Sequence, residues 1–346
     1  MGKNSLKNHL ISYPRLNDLP PPPPGKTGWP WNEESKCLPA ITTDGHKWPK
    51  ITVVTPSFNQ GTYLEETIRS VLLQRYPNLE YFVMDGGSTD NSVQIIKKYS
   101  KWLSYWRSEA DNGQSSAVNE GIKMGDGEYA TWINSDDMLC KNALFNTATM
   151  LNSDESTVYI GDCIKLSMKT GLEKIHRAKI HTLKDLLEIW KVWTGQQGHI
   201  VQPEVLFPRS LFIHVGGFNE DFRYANDYEL WGKFLIENAK FYYTKIPFGI
   251  SRGHEQRFTY RAGGETIKNI INSAQTLTSN AHFFSNRDKK KMQRNLNRYY
   301  KNHFNIGIRR KFWKGTKRFL KFVFPEYFVI RIRVVKQYMI RKIKKT

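Results

Sequence analysis

Two adjacent carboxylates, Asp136 and Asp137, follow directly on an apolar run at residues 129–133, within the stretch WINSDDML. A strand ending there would deliver its last residues to the carboxyl edge of a parallel sheet, where open α/β folds bind their ligands. Carboxylate oxygens at such an edge suit a hard divalent cation, Mg²⁺ or Mn²⁺, which shares its remaining positions with substrate phosphates. The same pair would equally serve as a helix N-cap followed by a solvated acid. The elements around it therefore carry the argument.

Those elements alternate. Residues 51–56 (ITVVTP) read as an apolar strand, 63–73 as a helix with Leu64, Ile68, Val71 and Leu72 on one side, and 81–85 (YFVMD) as another strand. A second helix is expected over 90–99, with Ser88 or Thr89 as N-cap and Val93, Ile96 and Lys97 at helical spacing. A strand over 102–108, a helix over 115–124 and a strand over 129–134 follow. This rhythm marks an α/β protein with a mostly parallel sheet and crossover helices. After Asp137 it loosens: 158–164 and 172–176 read as a hairpin about 169–171, and 183–193 as an amphipathic helix. Residues 205–218 read as strand, short helix and glycine turn; 227–237 form a helix with Leu230, Trp231, Phe234 and Leu235 on its apolar side.

At 346 residues the chain can bury a large core and reads as one main domain with appendages. Residues 1–49 form an extended lead-in containing the prolines 20–24, which favour polyproline II; Trp29, Trp31 and Trp48 are expected to pack parts of it on the body. The body spans 50–262, and 263–346 is a helical, strongly basic extension. Cys37, Cys140 and Cys163 are odd in number and far apart, which excludes a disulfide framework or zinc site and fits a reducing compartment. The start MGKNSLKNHL lacks a signal-peptide core, and Leu6 breaks a myristoylation pattern. No apolar run approaches the roughly 20 residues of a membrane-spanning helix. A cytoplasmic protein, peripheral on the inner face of the membrane, is the expectation.

The net charge of +20 is concentrated: residues 287–346 hold 21 Lys and Arg against Asp288 and Glu326. The partner this charge implies therefore belongs to that segment. Its cations interleave with Phe, Tyr, Ile and Val, a pattern suited to lying on an anionic membrane surface, where each nearby cation contributes about 1 kcal/mol. Single-stranded nucleic acid is the disfavoured rival, beside a plain solvated or oligomer-forming helical surface.

Across residues 50–262 the motifs resemble a family closely. ITVVTPSFNQGTYLEETIRSVLLQRYPNLEYFVMDGGSTDNS, DNGQSSAVNEGI, WINSDDML, QPEVLFPRSLFIHVGGFNEDFRYANDYELW and RGHEQRFT occur in the order found in family 2 glycosyltransferases, which are inverting and use nucleotide sugars. The resemblance implies the GT-A fold, with the acceptor site in its second half. It assigns donor binding to Thr55, Pro56, Ser57 and Asn59, whose segment could otherwise only terminate the strand, and to Asp85, Gln114, Asn134 and Asp136. Many members carry a second acid after Asp85, where this chain has Gly86, and Asn134 stands where relatives have an acid. Asn119 would meet the nucleotide or brace its loop.

The family's metal motif maps Asp137 as the leading ligand, Asp136 on ribose or metal, and His254 towards metal or diphosphate. A cation there would neutralise the leaving diphosphate. Asp227 matches the catalytic base, preceded by Asn226 where relatives often have Glu; it could also serve as a helix cap. Trp193 and Gln202 sit where relatives shape the acceptor pocket, positions that packing could equally explain; Trp231, a further acceptor candidate, lies on the apolar side of its helix and reads as core more than as a sugar platform. The implied reaction moves a sugar to a hydroxyl of a glycan or lipid-linked glycan in cell-surface polysaccharide synthesis. A sugar-phosphate nucleotidyltransferase would need a glycine-rich basic loop that SFNQGTYLEE lacks, and a non-catalytic membrane- or nucleic-acid-binding protein has no use for Asp136, Asp137 and Asp227 together.

Overall fold

β1 (Ile51–Ser57) is buried along its whole length, as a strand covered on both faces must be. It lies between β2 (Leu79–Asp85) and β4 (Tyr129–Trp132), and β3 (Tyr105–Ser108) flanks β2, all parallel. This computed structural model describes residues 14–152, 154–192, 198–222, 224–255 and 264–301. Trp193 and the basic stretch from 302 onward lie outside them. The chain divides into two units, Met1–Gln293 and Arg294–Thr346, and every element below belongs to the first.

α1 (Gly61–Leu72) and α2 (Ser92–Tyr99) cover one face of the parallel strands: Leu64, Ile68, Val71 and Ile96 share a core with Ile51, Val53 and Val83. α3 (Gln114–Met124) approaches the other face at Val54. Register aligns Ser57 with Asp85 and Asp85 with Ser108, so these strands end level. Their common carboxyl edge is the platform for the site.

Beyond β4 the sheet becomes mixed. β8 (Val205–Pro208) pairs antiparallel with β4, then β6 (Thr157–Ser167) antiparallel with β8, and β9 (Lys240–Gly253) parallel with β6. The parallel expectation thus describes β1–β4, while the second half depends on β9, a strand that the alternating pattern did not announce. β7 (Glu173–His176) completes the expected hairpin with β6. β5 (Met138–Leu139) pairs with the end of β9, Met138 opposite Ile250, and so carries the two acids to where β9 finishes. β9 passes so close to residues 202–204 that a Cβ on Gly249 would lie 2.0 Å from the Pro203 carbonyl oxygen.

Local differences have local causes. The helix expected over 183–193 appears as two short helices, α5 (Leu183–Leu187) and α6 (Ile189–Val192), with Glu188 between them in a non-helical conformation. Ser100–Trp102 turn as a 3₁₀ helix, which shortens the following strand. The remaining helices of the site region are α7 (Arg209–His214) and α8 (Asn226–Ile236), after a short α4 (Ala143–Ala148). α8 starts behind Ala225, whose φ is 62°.

Part of the lead-in does pack on the body. Arg69 of α1 is fully buried and donates from Nε to the Pro30 carbonyl (3.0 Å), from Nη1 to Pro20 O (2.8 Å) and from Nη2 to Trp31 O (2.9 Å). Trp31 lies 5.0 Å beneath that guanidinium, and Trp29 Nε1 donates to Leu139 O at 2.8 Å. Arg69→Leu would strand three carbonyl oxygens, so it should destabilise the fold by about 3 kcal/mol. Urea unfolding measures the loss, and limited proteolysis should cut residues 20–31 first.

Candidate active site

Asp136 and Asp137 point in different directions. Asp136 Oδ2 lies 3.1 Å from His254 Nε2, at the end of β9. Asp137, expected as the leading metal ligand, is fully buried, and its Oδ1 accepts the Arg252 backbone N–H at 2.9 Å. The turn around the pair makes neighbouring side chains diverge, and the β5–β9 pairing turns Asp137 inward. The structure therefore brings Asp136 and His254 together and makes Asp137 a brace for β9.

Arg252, which opens the RGHEQRFT motif but carries no expected role there, organises this corner. Its guanidinium is completely enclosed; Nε donates to Asp136 O (2.5 Å), Nη2 to Thr67 Oγ1 (2.9 Å), and Nη1 to Glu66. Burial works against its charge, and Glu66, Asp137 and Asp136 oppose that effect. Glu66 would likewise be raised by burial, but the Lys26 ammonium (2.8 Å), the Arg252 charge and the Trp31 indole N–H (3.1 Å) hold its carboxyl below the usual value. Two residues beyond Arg252, His254 is stacked on Tyr63 of α1, with ring centroids 4.3 Å apart. Its Nδ1 has no partner among the described residues.

The expected donor residues divide into those facing the edge and those holding it. Thr55 is buried with its hydroxyl 3.0 Å from Tyr81 OH, and Pro56 is buried beside it, so neither side chain offers a contact. Ser57 Oγ sits at the strand end with no partner among the described residues, and Phe58 next to it is 60% exposed. Asn59 Oδ1 accepts from Thr89 N at 2.8 Å, binding the first edge loop to the second. Asp85 is enclosed by Ser88 N (2.9 Å), Ser88 Oγ (2.6 Å) and Ser108 Oγ (2.7 Å), which ties β2 to β3. Where relatives have a second acid, Gly86 leaves space that Asp111 fills: its carboxylate is 3.0–3.2 Å from where a Cβ on Gly86 would stand. Asp111, from the loop after β3, accepts the Gly113 N–H at 2.8 Å.

Hydrogen bonds carry the edge across to α8. Gln114 Nε2 donates to Asn134 Oδ1 at 2.6 Å, and Asn226 Nδ2 donates to Ser115 Oγ. The start of α3 therefore touches both the acidic turn and the start of α8, beside Asp227. Asp227 is half-buried, and its Oδ1 accepts its neighbour's N–H, from Tyr228, at 2.8 Å. A negative side chain in that first turn is stabilised by the helix dipole. Asn119 braces its loop, donating to Phe218 O (3.0 Å) and accepting from Phe218 N (2.8 Å).

Two acceptor expectations do not match the geometry. Trp231 is 1% exposed and stacked on Trp132 at 5.7 Å, within an aromatic core that includes Phe207 and Phe234. Gln202 is also buried, and its Nε2 donates to the Trp132 carbonyl, which fixes the end of β4. Trp193 lies outside the described residues.

The sequence matches the glycosyl transferase family 2 signature over residues 52–216. It is 30% identical over 224 residues to an uncharacterized glycosyltransferase of Rickettsia typhi, covering 62% of this chain and 67% of that protein. The chain belongs to glycosyl transferase family 2. A second such glycosyltransferase, from Rickettsia prowazekii, is 29% identical over 201 residues, and the chain spans 59% of its length. The fold is similar to that of S. aureus TarS 1-349, solved with UDP-GlcNAc: TM-score 0.56, 19% identity, 70% of each chain covered. That likeness shows the fold, a GT-A-like arrangement, and no more.

In this glycosyltransferase one buried acid behind Gln202 has a pH signature. Glu204 Oε1 accepts Val201 N–H at 2.8 Å, while Oε2 has no partner among the described residues. Burial pushes its carboxyl well above the ordinary 4.5, against the Val201 N–H and Lys165 and with help from Asp162. A raised acid favours folding while protonated, so its contribution is lost as pH climbs from 4.5 towards the raised folded value. Glu204→Gln cannot titrate. Denaturation across that window should show wild-type stability falling relative to the variant as pH rises; parallel curves would mean that Glu204 is ionised in the fold.

Proposed function

We propose that this glycosyltransferase moves a sugar, with inversion, from a nucleoside-diphosphate sugar to a hydroxyl of a glycan or lipid-linked glycan, in cell-surface polysaccharide synthesis. The observation that carries the reading is the set of side-chain contacts along the sheet edge: His254 to Asp136, Asn134 to Gln114, and Ser115 to Asn226 beside Asp227. The exposed ring of Phe58 gives a nucleoside a face to stack on. Ser57 Oγ and the Asp85–Asp111 corner supply polar contacts next to it.

A divalent cation fits the other end. Asp136 and His254 converge to 3.1 Å, and a carboxylate with an imidazole would suit Mn²⁺, or Mg²⁺ through the carboxylate. When bound, the ion supplies charge neutralisation for the departing diphosphate. Asp227 takes the proton from the acceptor hydroxyl as its oxygen attacks the anomeric carbon opposite the leaving group.

No helix of the described residues is long and apolar enough to cross a membrane. The basic residues 287–346 remain our proposed contact with an anionic lipid surface, which suits a lipid-linked acceptor.

Asp227→Asn keeps shape and removes basicity, so turnover should fall by about 10²-fold or more with donor affinity retained. Turnover close to wild type would assign the base elsewhere. The two acids should separate as well: Asp136→Asn should lower turnover by about 10²-fold and blunt its response to Mn²⁺. Asp137→Asn can still accept the Arg252 N–H and should keep that response. Metal titration of both variants decides the matter, and the reverse pattern would return the ligand role to Asp137.

A further inference from the structure

The β6–β7 hairpin is exposed without interruption from residue 168 to 175, and the apolar residues there are large: Met168 is 44% exposed, Leu172 71% and Ile175 53%. Residues 165–179, KLSMKTGLEKIHRAK, carry Lys165, Lys169, Lys174, Arg177 and Lys179 against one acid, Glu173. Lys169, Lys174 and Lys179 make no ion pair among the described residues; Arg177 is bound to Asp162 at 2.9 Å. The tip is also anchored beside the active site, because the Met168 N–H donates at 3.0 Å to the carbonyl of Gly253, the residue before His254.

Three exposed apolar side chains on one tip call for a partner. Composition selects it. Protein interfaces are enriched in aromatic residues and Arg and depleted in Lys, whereas residues 165–179 have no Phe, Tyr or Trp and four lysines. Aliphatic side chains that reach the boundary between headgroups and acyl chains, ringed by lysines whose stems lie along that boundary and whose ammonium groups stay in water, fit an anionic lipid surface.

We propose that the β6–β7 hairpin is a membrane-contact element that holds the His254 end of the active site at an anionic lipid surface. The proposal deepens the lipid-linked acceptor reading, but its contact is a folded hairpin, separate from the basic segment 287–346. An acceptor hydroxyl carried at the headgroup level would then meet the site without leaving the bilayer.

The test is co-sedimentation of the full chain with vesicles of phosphatidylcholine alone and of equal parts phosphatidylcholine and phosphatidylglycerol. Wild type should bind the anionic vesicles preferentially. Met168→Glu/Leu172→Glu should weaken that binding at least about fivefold, since it removes the inserted groups and adds like charge facing the lipid. Ile213→Glu, on exposed apolar surface of α7, should not weaken it. Leu172→Trp, which adds an interfacial aromatic, should strengthen binding and guards against a loss caused by misfolding. Metal-dependent hydrolysis of soluble donor should be the same in wild type and the double variant. Undiminished anionic binding by the double variant would overturn the hairpin proposal and leave the basic segment as the contact. Equal binding of wild type to both vesicles would overturn both. A hairpin-dependent dimer in sedimentation velocity, with no vesicle preference, would assign the surface to a second copy of the chain.

Discussion

A single buried cation, Arg252, is the constraint on which the corner of the site depends. A guanidinium removed from water is tolerable only where carboxylates and carbonyls surround it, and deleting one partner of such a buried pair costs about 3–5 kcal/mol. Here the surrounding groups come from two places, Glu66, Thr67 and Tyr63 O of α1 and the carbonyls of the acidic turn, while Asp137 of that turn accepts the Arg252 backbone N–H from β9. Satisfying one charge thus fixes where a helix, a turn and a strand end meet. Asp136 and His254 face each other as a consequence.

The same network reaches outward to the lead-in. Glu66 is shared between Arg252 on its inner side and Lys26 and Trp31 on its outer side, while Arg69, one turn further along α1, grips the lead-in carbonyls. The family signature begins at residue 52. The lead-in lies outside that match and braces the Glu66–Arg252 corner, with Arg69 as the second buried arginine. A cleft of about 250 Å³ remains beside it, lined by Trp29, Trp31, Met138 and Arg252 among others.

The opposite half of the edge is held by side-chain hydrogen bonds. Asp85 gathers Ser88 and Ser108, Asn59 joins two loops, and Gln114 with Asn134 spans to the acidic turn. Such contacts are individually worth about 0.5–1.5 kcal/mol between neutral groups and about 1.5–3 kcal/mol to a carboxylate, and they leave the Phe58 ring exposed with Ser57 Oγ buried beside it. Groups that hold the edge and groups that face a ligand are thereby separated along the same short loops. Asp111, from the loop after β3, fills the space beside Gly86.

The sequence alone determined the parallel half of the sheet, since apolar runs of strand length alternating with amphipathic helices allow few other arrangements, and it placed Asp136, Asp137 and Asp227 at element ends. It also identified the β6–β7 hairpin and the short strand, helix and glycine turn after it. What it left open was direction. Which of two adjacent acids faces outward depends on β5 pairing with β9, more than a hundred residues away, and no local pattern encodes that pairing. Likewise Gln202 looks like a pocket residue by position, yet the close pass of β9 at Gly249 beside residues 202–204 makes it packing, while Trp231 is buried as its place on the apolar side of the helix implies. Arg252 gave no signal because a lone arginine in a strand is unremarkable until the tertiary fold buries it, and burial is what makes its partners obligatory.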